Sequence, residues 1–311
     1  MTSQFYKNKR NAILIAILCS ILWGSAFPVL KVSYEELNLK SYDLAGKISL
    51  AGYRFFIASI IILVFARYIL KISFKISKKA WFLIFILGLV QTALSYFFFY
   101  NGLGNVSAMQ GAILGSLENF LVVIIAHFLY KDEKLNYRKI IGLLTGILGV
   151  IIVNWGGEIS TSFRFQGEGF MILSAIMSTV ATFMVKKLGK SVNPVLMSGL
   201  QMLIGSIIMI ILGKSMERQS LIFTGYAYGL LIYSALLSSI AFTLWYMLLK
   251  YNKASEITLF RFIIPVSGAL LSAIMVKGEN LNLNIIIALL LVSSGIIFIN
   301  YNNDKVTIEK Q

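Results

Sequence analysis

Charge is scarce in this chain. Only 13% of its 311 residues are charged, about half the share usual in a soluble domain. No segment between apolar runs is long enough for a soluble domain either; the longest are Tyr34 to Lys47 and Gly156 to Gly167. The single cysteine, Cys19, excludes a disulfide within the chain. The single histidine, His127, has no second His or Cys beside it and makes a poor start for a metal site. There is no Gly-rich phosphate loop ending in Gly-Lys-Ser or Gly-Lys-Thr, and no nucleophile elbow. Nothing therefore points to a built-in ATPase, a metal centre or a cofactor, and no enzyme is expected.

What the sequence does have is apolar length. Hydrophobic residues make up 58% of the chain and the mean hydropathy is +0.81, which marks a membrane protein. A window of about 20 residues, enough to cross roughly 30 Å of hydrocarbon, finds ten candidate spans. They cover residues 12–33, 48–70, 80–101, 106–129, 137–155, 168–188, 193–213, 225–249, 254–276 and 283–301. The first is not read as a cleaved signal, since it holds Trp23 and Pro28, lacks a small-residue cleavage pattern and leads into further spans.

The net charge of +15 would suggest nucleic acid in a soluble protein, but its distribution gives another account. With the N-terminus in the cytoplasm, 19 of the 28 Lys and Arg lie on cytoplasmic segments and six on external ones. That asymmetry predicts a plasma-membrane protein with both termini, 1–11 and 302–311, in the cytoplasm, in contact with anionic lipid and with no nucleic-acid partner.

The chain also repeats itself. KDEKLN (131–136) aligns with KGENLN (277–282), and at the same offset GVIIVNW (149–155) falls on GIIFINY (295–301) and Tyr100 on Tyr246. One residue further on, IASIIIL (57–63) matches IGSIIMI (204–210). The fold class expected is all-α: a polytopic membrane protein of ten transmembrane helices in two five-helix repeats, 12–155 and 168–301. Because five is odd, the second repeat enters the membrane inverted. That architecture belongs to secondary transporters, with a substrate site near the midplane between the repeats.

ILWGSAFPVLK (21–31), RFFIA (54–58) and the Lys-x-Glu turns at Glu133 and Glu279 together resemble the drug/metabolite transporter superfamily, specifically its ten-helix EamA-type members. The resemblance runs from about residue 12 to 301 and implies a carrier of small metabolites, often an exporter, with a central cavity. Amino acids, nucleotide-linked compounds, sugars and drugs are all within its range. The family often has proline midway along both the fourth and ninth helices; here Pro265 has Asn119 as its repeat partner.

Helical spacing nominates the cavity face. Ala254, Thr258, Arg261, Pro265, Gly268 and Ser272 recur at steps of three and four along the ninth span. On the fourth span the matching stripe is again small or polar, includes Asn119, and is bordered by Glu118. Such a stripe also suits close helix packing, but ionisable groups inside a membrane are costly enough to ask for a role. Glu118 and Arg261 fall within several Å of each other in depth and can pair. Three readings follow: a structural ion pair, a substrate site offering a carboxylate for an ammonium and a guanidinium for a carboxylate, or proton coupling through Glu118.

The substrate-binding candidates are Glu118, Asn119, Arg261, Trp23, Tyr96 and Trp245, with Glu118 also the coupling candidate and the proton the coupling ion. Tyr100 and Tyr246 extend a possible aromatic wall, although membrane aromatics more often anchor or pack. Arg54, near a span end, is expected to snorkel. The function expected is a secondary active transporter, an exporter of a small polar metabolite such as an amino acid. An amphipathic drug or cation, or a nucleotide-type metabolite, is the alternative cargo. A channel, a receptor or a membrane-embedded enzyme using Glu118 remain rival classes.

Overall fold

The computed structural model describes residues 3–40, 42–106, 111, 114–153, 163–216, 221–276 and, in pairs, 283–284, 286–287, 290–291 and 294–295. A short turn, Ser3–Lys7, precedes α1 (Lys9–Glu36). Then come α2 (Leu44–Ile69), α3 (Lys78–Asn105), α4 (Leu117–Leu129), α5 (Tyr137–Val153), α6 (Phe165–Leu188), α7 (Pro194–Met216), α8 (Gly225–Tyr251) and α9 (Ala254–Met275). Among the described residues seven of these are long and apolar enough to cross a membrane, α4 and α5 being shorter. The chain is an all-α, multi-pass membrane protein. The tenth expected span lies mostly outside the described residues, as does the start of the fourth.

The packing inverts the soluble pattern. Leu14, Leu18 and Ile21 on α1, and Ile232, Leu236 and Ile240 on α8, form exposed apolar stripes at helical spacing, as hydrocarbon requires. Ser20, Ser59, Ser206 and Ser238 are fully buried instead, and each hydroxyl donates to a carbonyl three or four residues back. With no hydrophobic drive between helices in lipid, close approach must come from small residues. A Cβ on Gly205 would lie 2.6 Å from the Gly88 carbonyl oxygen, and one on Gly88 would lie 2.6 Å from that of Gln201, so α3 and α7 meet backbone to backbone. Gly24 does the same for α1 against Ile264 and Gly268 of α9.

The helix contacts come in related pairs. α2 lies along α7; α1 touches α8 and α3 touches α6; α2 touches α8 and α3 touches α7; α1 touches α9 and α4 touches α6.

Three departures from α geometry shape the interior. In α3 a π-helical stretch, Gly88–Leu94, rotates the helix just before Ser95 and Tyr96. In α9 a 3₁₀ segment, Thr258–Phe262, carries Arg261 and ends shortly before Pro265, whose missing N–H suits a change of helical register. A turn at Ser116 stands directly before Glu118, with the Asn119 amide reaching back to the Ser116 carbonyl at 2.9 Å. Both intramembrane charges of the α4 and α9 pair thus sit at breaks in their helices.

Candidate functional site

A cavity with about 1010 Å³ of empty space, counted out to its mouth, opens among α1, α2, α3, α4, α6, α8 and α9. Trp23, Tyr96, Glu118, Asn119, Trp245 and Arg261 all line it, so the structure gathers the six substrate-binding candidates into one place; of the stripe expected on the ninth span, Arg261 and Pro265 line it, whereas Ala254, Thr258, Gly268 and Ser272 are not among its lining residues.

At its centre Arg261 Nη1 donates to Glu118 Oε1. Thr182 Oγ1 also reaches that oxygen, at 3.5 Å. The Arg261 guanidinium lies 5.0 Å from the Trp23 ring centre and 5.5 Å from that of Trp245. The two indoles meet edge to face at 5.2 Å, so the cation is flanked by two π faces and one carboxylate. Glu118 is 5% exposed. Apart from these contacts the pair has unmet capacity: Arg261 Nε, Trp23 Nε1 and Tyr246 Oη have no hydrogen-bond partner among the described residues.

Of the aromatics named from the sequence, Trp23, Tyr96, Trp245 and Tyr246 line the cavity, together with Phe242. Tyr96 packs on Phe55 at 4.3 Å and on Phe242 at 6.2 Å, and Phe242 meets Trp23 at 5.4 Å. Tyr100 stands behind the wall, fully buried.

Arg54 departs from expectation. It is 2% exposed and lines the cavity instead of reaching toward the membrane surface. The reason is that α2 begins at Leu44, so Arg54 lies ten residues into the helix, about 15 Å deep. Its Nε donates to Ser238 Oγ at 2.8 Å and to the Ser234 carbonyl at 3.2 Å; its Nη1 donates to Tyr100 Oη at 3.0 Å. Gln91, Ser95, Ser178 and Thr182 are further polar wall residues that sequence reasoning did not single out. The π-helical turn of α3 decides which face Gln91 and Ser95 present, and it leaves no periodic trace.

A second charged cluster lies at the end of the bundle where Val185 and Leu249 line the cavity. In the turn after α4, Glu133 is 1% exposed and pairs with Lys186 of α6 at 2.8 Å. Its Oε2 accepts the Ser255 amide at 2.9 Å. Lys186 also donates to the Asn252 carbonyl at 2.9 Å, and Lys139 donates to Ser255 Oγ at 2.8 Å and to the Glu133 carbonyl at 3.2 Å. Burial pushes the Glu133 carboxyl up, but the Lys186 and Ser255 hydrogen bonds outweigh it and hold the group below the usual carboxylate range. His127 belongs here too, its Nδ1 accepting the Leu135 amide at 2.9 Å. It shapes the turn, and among the described residues no group of three or more His, Cys, Asp and Glu could hold a metal ion.

The EamA-like transporter family matches the sequence over residues 10–155 and 165–301. An uncharacterized transporter of Bacillus subtilis, YvbV, is 26% identical over 298 residues, covering 94% of this chain and 92% of that one. An uncharacterized transporter of Haemophilus influenzae is 31% identical over 199 residues, 60% of this chain and 63% of its own length. A protein of known crystal structure superposes with a TM-score of 0.79 at 15% identity, over 96% of this chain and 99% of the other, which shows a shared fold.

Proposed function

The chain belongs to the EamA-like transporter family, and on that premise we propose that it is a secondary active transporter exporting a small polar metabolite, an amino acid being the leading class, across the plasma membrane. The observation that carries this reading is a large cavity inside a membrane-spanning bundle, with a carboxylate and a guanidinium meeting in it from two different helices. Substrate binding falls to Glu118, Asn119, Arg261, Trp23, Tyr96 and Trp245. An ammonium group competes with Arg261 for Glu118, and a carboxylate competes with Glu118 for a guanidinium.

Two inverted repeats with both termini in the cytoplasm suit this reading. The paired helix contacts named above support it, because exchanging α1 with α6, α2 with α7, α3 with α8 and α4 with α9 maps α2–α7 onto itself and each of the others onto its pair. Side chains follow the same rule. Arg54 of α2 bonds Ser238 of α8, while Gln201 of α7 accepts from Thr92 of α3 at 2.7 Å. Positions 54 and 201, and 92 and 238, are equivalent under the sequence repeat.

Glu118 is also the coupling candidate. A proton that neutralises it weakens its hold on Arg261, and a helix break beside each partner gives the pair room to part. The test is flux in proteoliposomes. Saturable transport that follows a proton gradient is expected, and Glu118→Gln should lose that gradient dependence. Ohmic current, or solute conversion without movement, overturns the carrier reading; gradient-driven flux undiminished in Glu118→Gln overturns the coupling role.

A further inference from the structure

Charge is unbalanced within the cavity. Among the described residues its charged lining groups are Arg54, Glu118 and Arg261, which leaves one positive charge in excess. Arg261 is held by Glu118 and by two indole faces. Arg54 has only neutral acceptors, Ser238, Ser234 and Tyr100. Among the described residues its Nη2 donates to none, and no carboxylate stands within ion-pair distance of it.

Packing does not require this charge. At the equivalent position of the other half, Gln201 is equally buried and makes the corresponding bond across to the neighbouring helix with a neutral amide. A guanidinium at mid-membrane depth is expensive where an amide suffices. Its surroundings also hold it still. Ser238 and Ser234 fix one edge, Tyr100 one terminal nitrogen, and the Phe55 ring centre lies 5.2 Å from its central carbon. A preorganised fork with N–H groups to spare, on a residue that lines the cavity, suits a planar, bidentate anion.

We propose that Arg54 is the substrate's anion site, and that the cargo carries a carboxylate on an apolar body. The proposal rests on the transporter reading above and moves the carboxylate contact within that site from Arg261 to Arg54, with Glu118 still the group that meets an ammonium. A carboxylate brings the single negative charge that neutralises the cavity, whereas a phosphate dianion overshoots it. Tyr96 and Phe242, on the cavity wall beside Phe55, supply the apolar surface for the rest of the molecule.

Thermal unfolding of the full chain in detergent tests this with 4-methylpentanoate, phenylacetate, L-leucine, 3-methylbutylamine and inorganic phosphate. The carboxylates, L-leucine included, should raise Tm well above the amine, and phosphate should not raise it. Arg54→Gln should weaken the carboxylate response about ten- to hundredfold, the scale of a charge-assisted hydrogen bond, and Arg54→Lys should weaken it less. Should Arg54→Gln fail to fold, Ser238→Ala and Tyr100→Phe, which keep the charge and loosen the guanidinium, should each weaken carboxylate binding severalfold. An undiminished response in these variants, an amine as effective as the acids, or a wild-type protein indifferent to every carboxylate overturns the proposal. Flux separates the two readings. Saturable transport indifferent to Arg54→Gln keeps the carrier and sinks the anion site; Arg54-dependent binding without flux does the reverse.

Discussion

Two buried carboxylates, Glu118 and Glu133, meet the same cost of leaving water in opposite ways. Glu133 sits in a turn and is tied down from several sides: Lys186 of α6, the Ser255 amide of α9, and Lys139, which bonds its carbonyl. Those bonds join elements far apart in sequence, and the lysines reach further acceptors at Asn252 and Ser255. Glu118 has one cation and one weak hydroxyl contact, both at the edge of open space. A carboxylate whose partners belong to several elements acts as a fastener. A carboxylate with a single charged partner beside a cavity is placed to exchange that partner.

Breaking one side of each pair should show the difference. The largest effect is expected from Arg261→Ala, which leaves Glu118 buried without its cation. Removing one partner of a buried pair costs about 3–5 kcal/mol, read as a lowered Tm together with loss of transport. A Glu118→Gln, Arg261→Met double variant should recover much of the Tm and none of the transport; recovered transport would make the pair merely structural. Glu133→Gln should cost less, about 1–3 kcal/mol, because the Ser255 amide keeps an acceptor, and it should leave substrate affinity unchanged. A shifted affinity would show that Glu133 communicates with the cavity.

Acid sharpens the contrast. Glu133 is held below the usual carboxylate range in the folded protein, so its contribution is complete above the unfolded value, about 4.3. It is lost as pH falls through the lower folded value. Tm of the wild type should therefore decline across that window, and Glu133→Gln should remove that part of the decline. The smallest effect is expected from Trp245→Leu, which takes one of two π faces from Arg261 and should cost about 0.5–2 kcal/mol. An unchanged Tm and transport rate in that variant would show that the Glu118 contact alone holds the cation.

The intramembrane charges were legible because an apolar run makes an ionisable group conspicuous, and helical rise converts position into depth. That arithmetic puts Glu118 and Arg261 at similar depth. It failed at Arg54, where α2 starts at Leu44, ahead of the hydrophobic window, and so moves the arginine from the membrane surface to mid-depth. Ser95 and Thr182 went unnoticed because hydroxyls in membrane helices commonly bond their own backbone, as Ser20 and Ser59 do here. Lys186 and Glu133 each looked like ordinary loop charges, and nothing local to either indicates the other.

Composition and hydropathy by themselves determined that the chain crosses a membrane repeatedly as helices, since lipid leaves backbone polar groups no other partner. The spacing of small and charged residues determined which faces of α4 and α9 carry polar groups, because helical geometry is local. Only the tertiary structure decided which charges are neutralised. Glu118 and Arg261, Glu133 and Lys186, and Arg54 with its neutral ring of acceptors are each settled by contacts between distant segments. Electrostatic energy in a low-dielectric interior depends on distance in space, which sequence position does not supply.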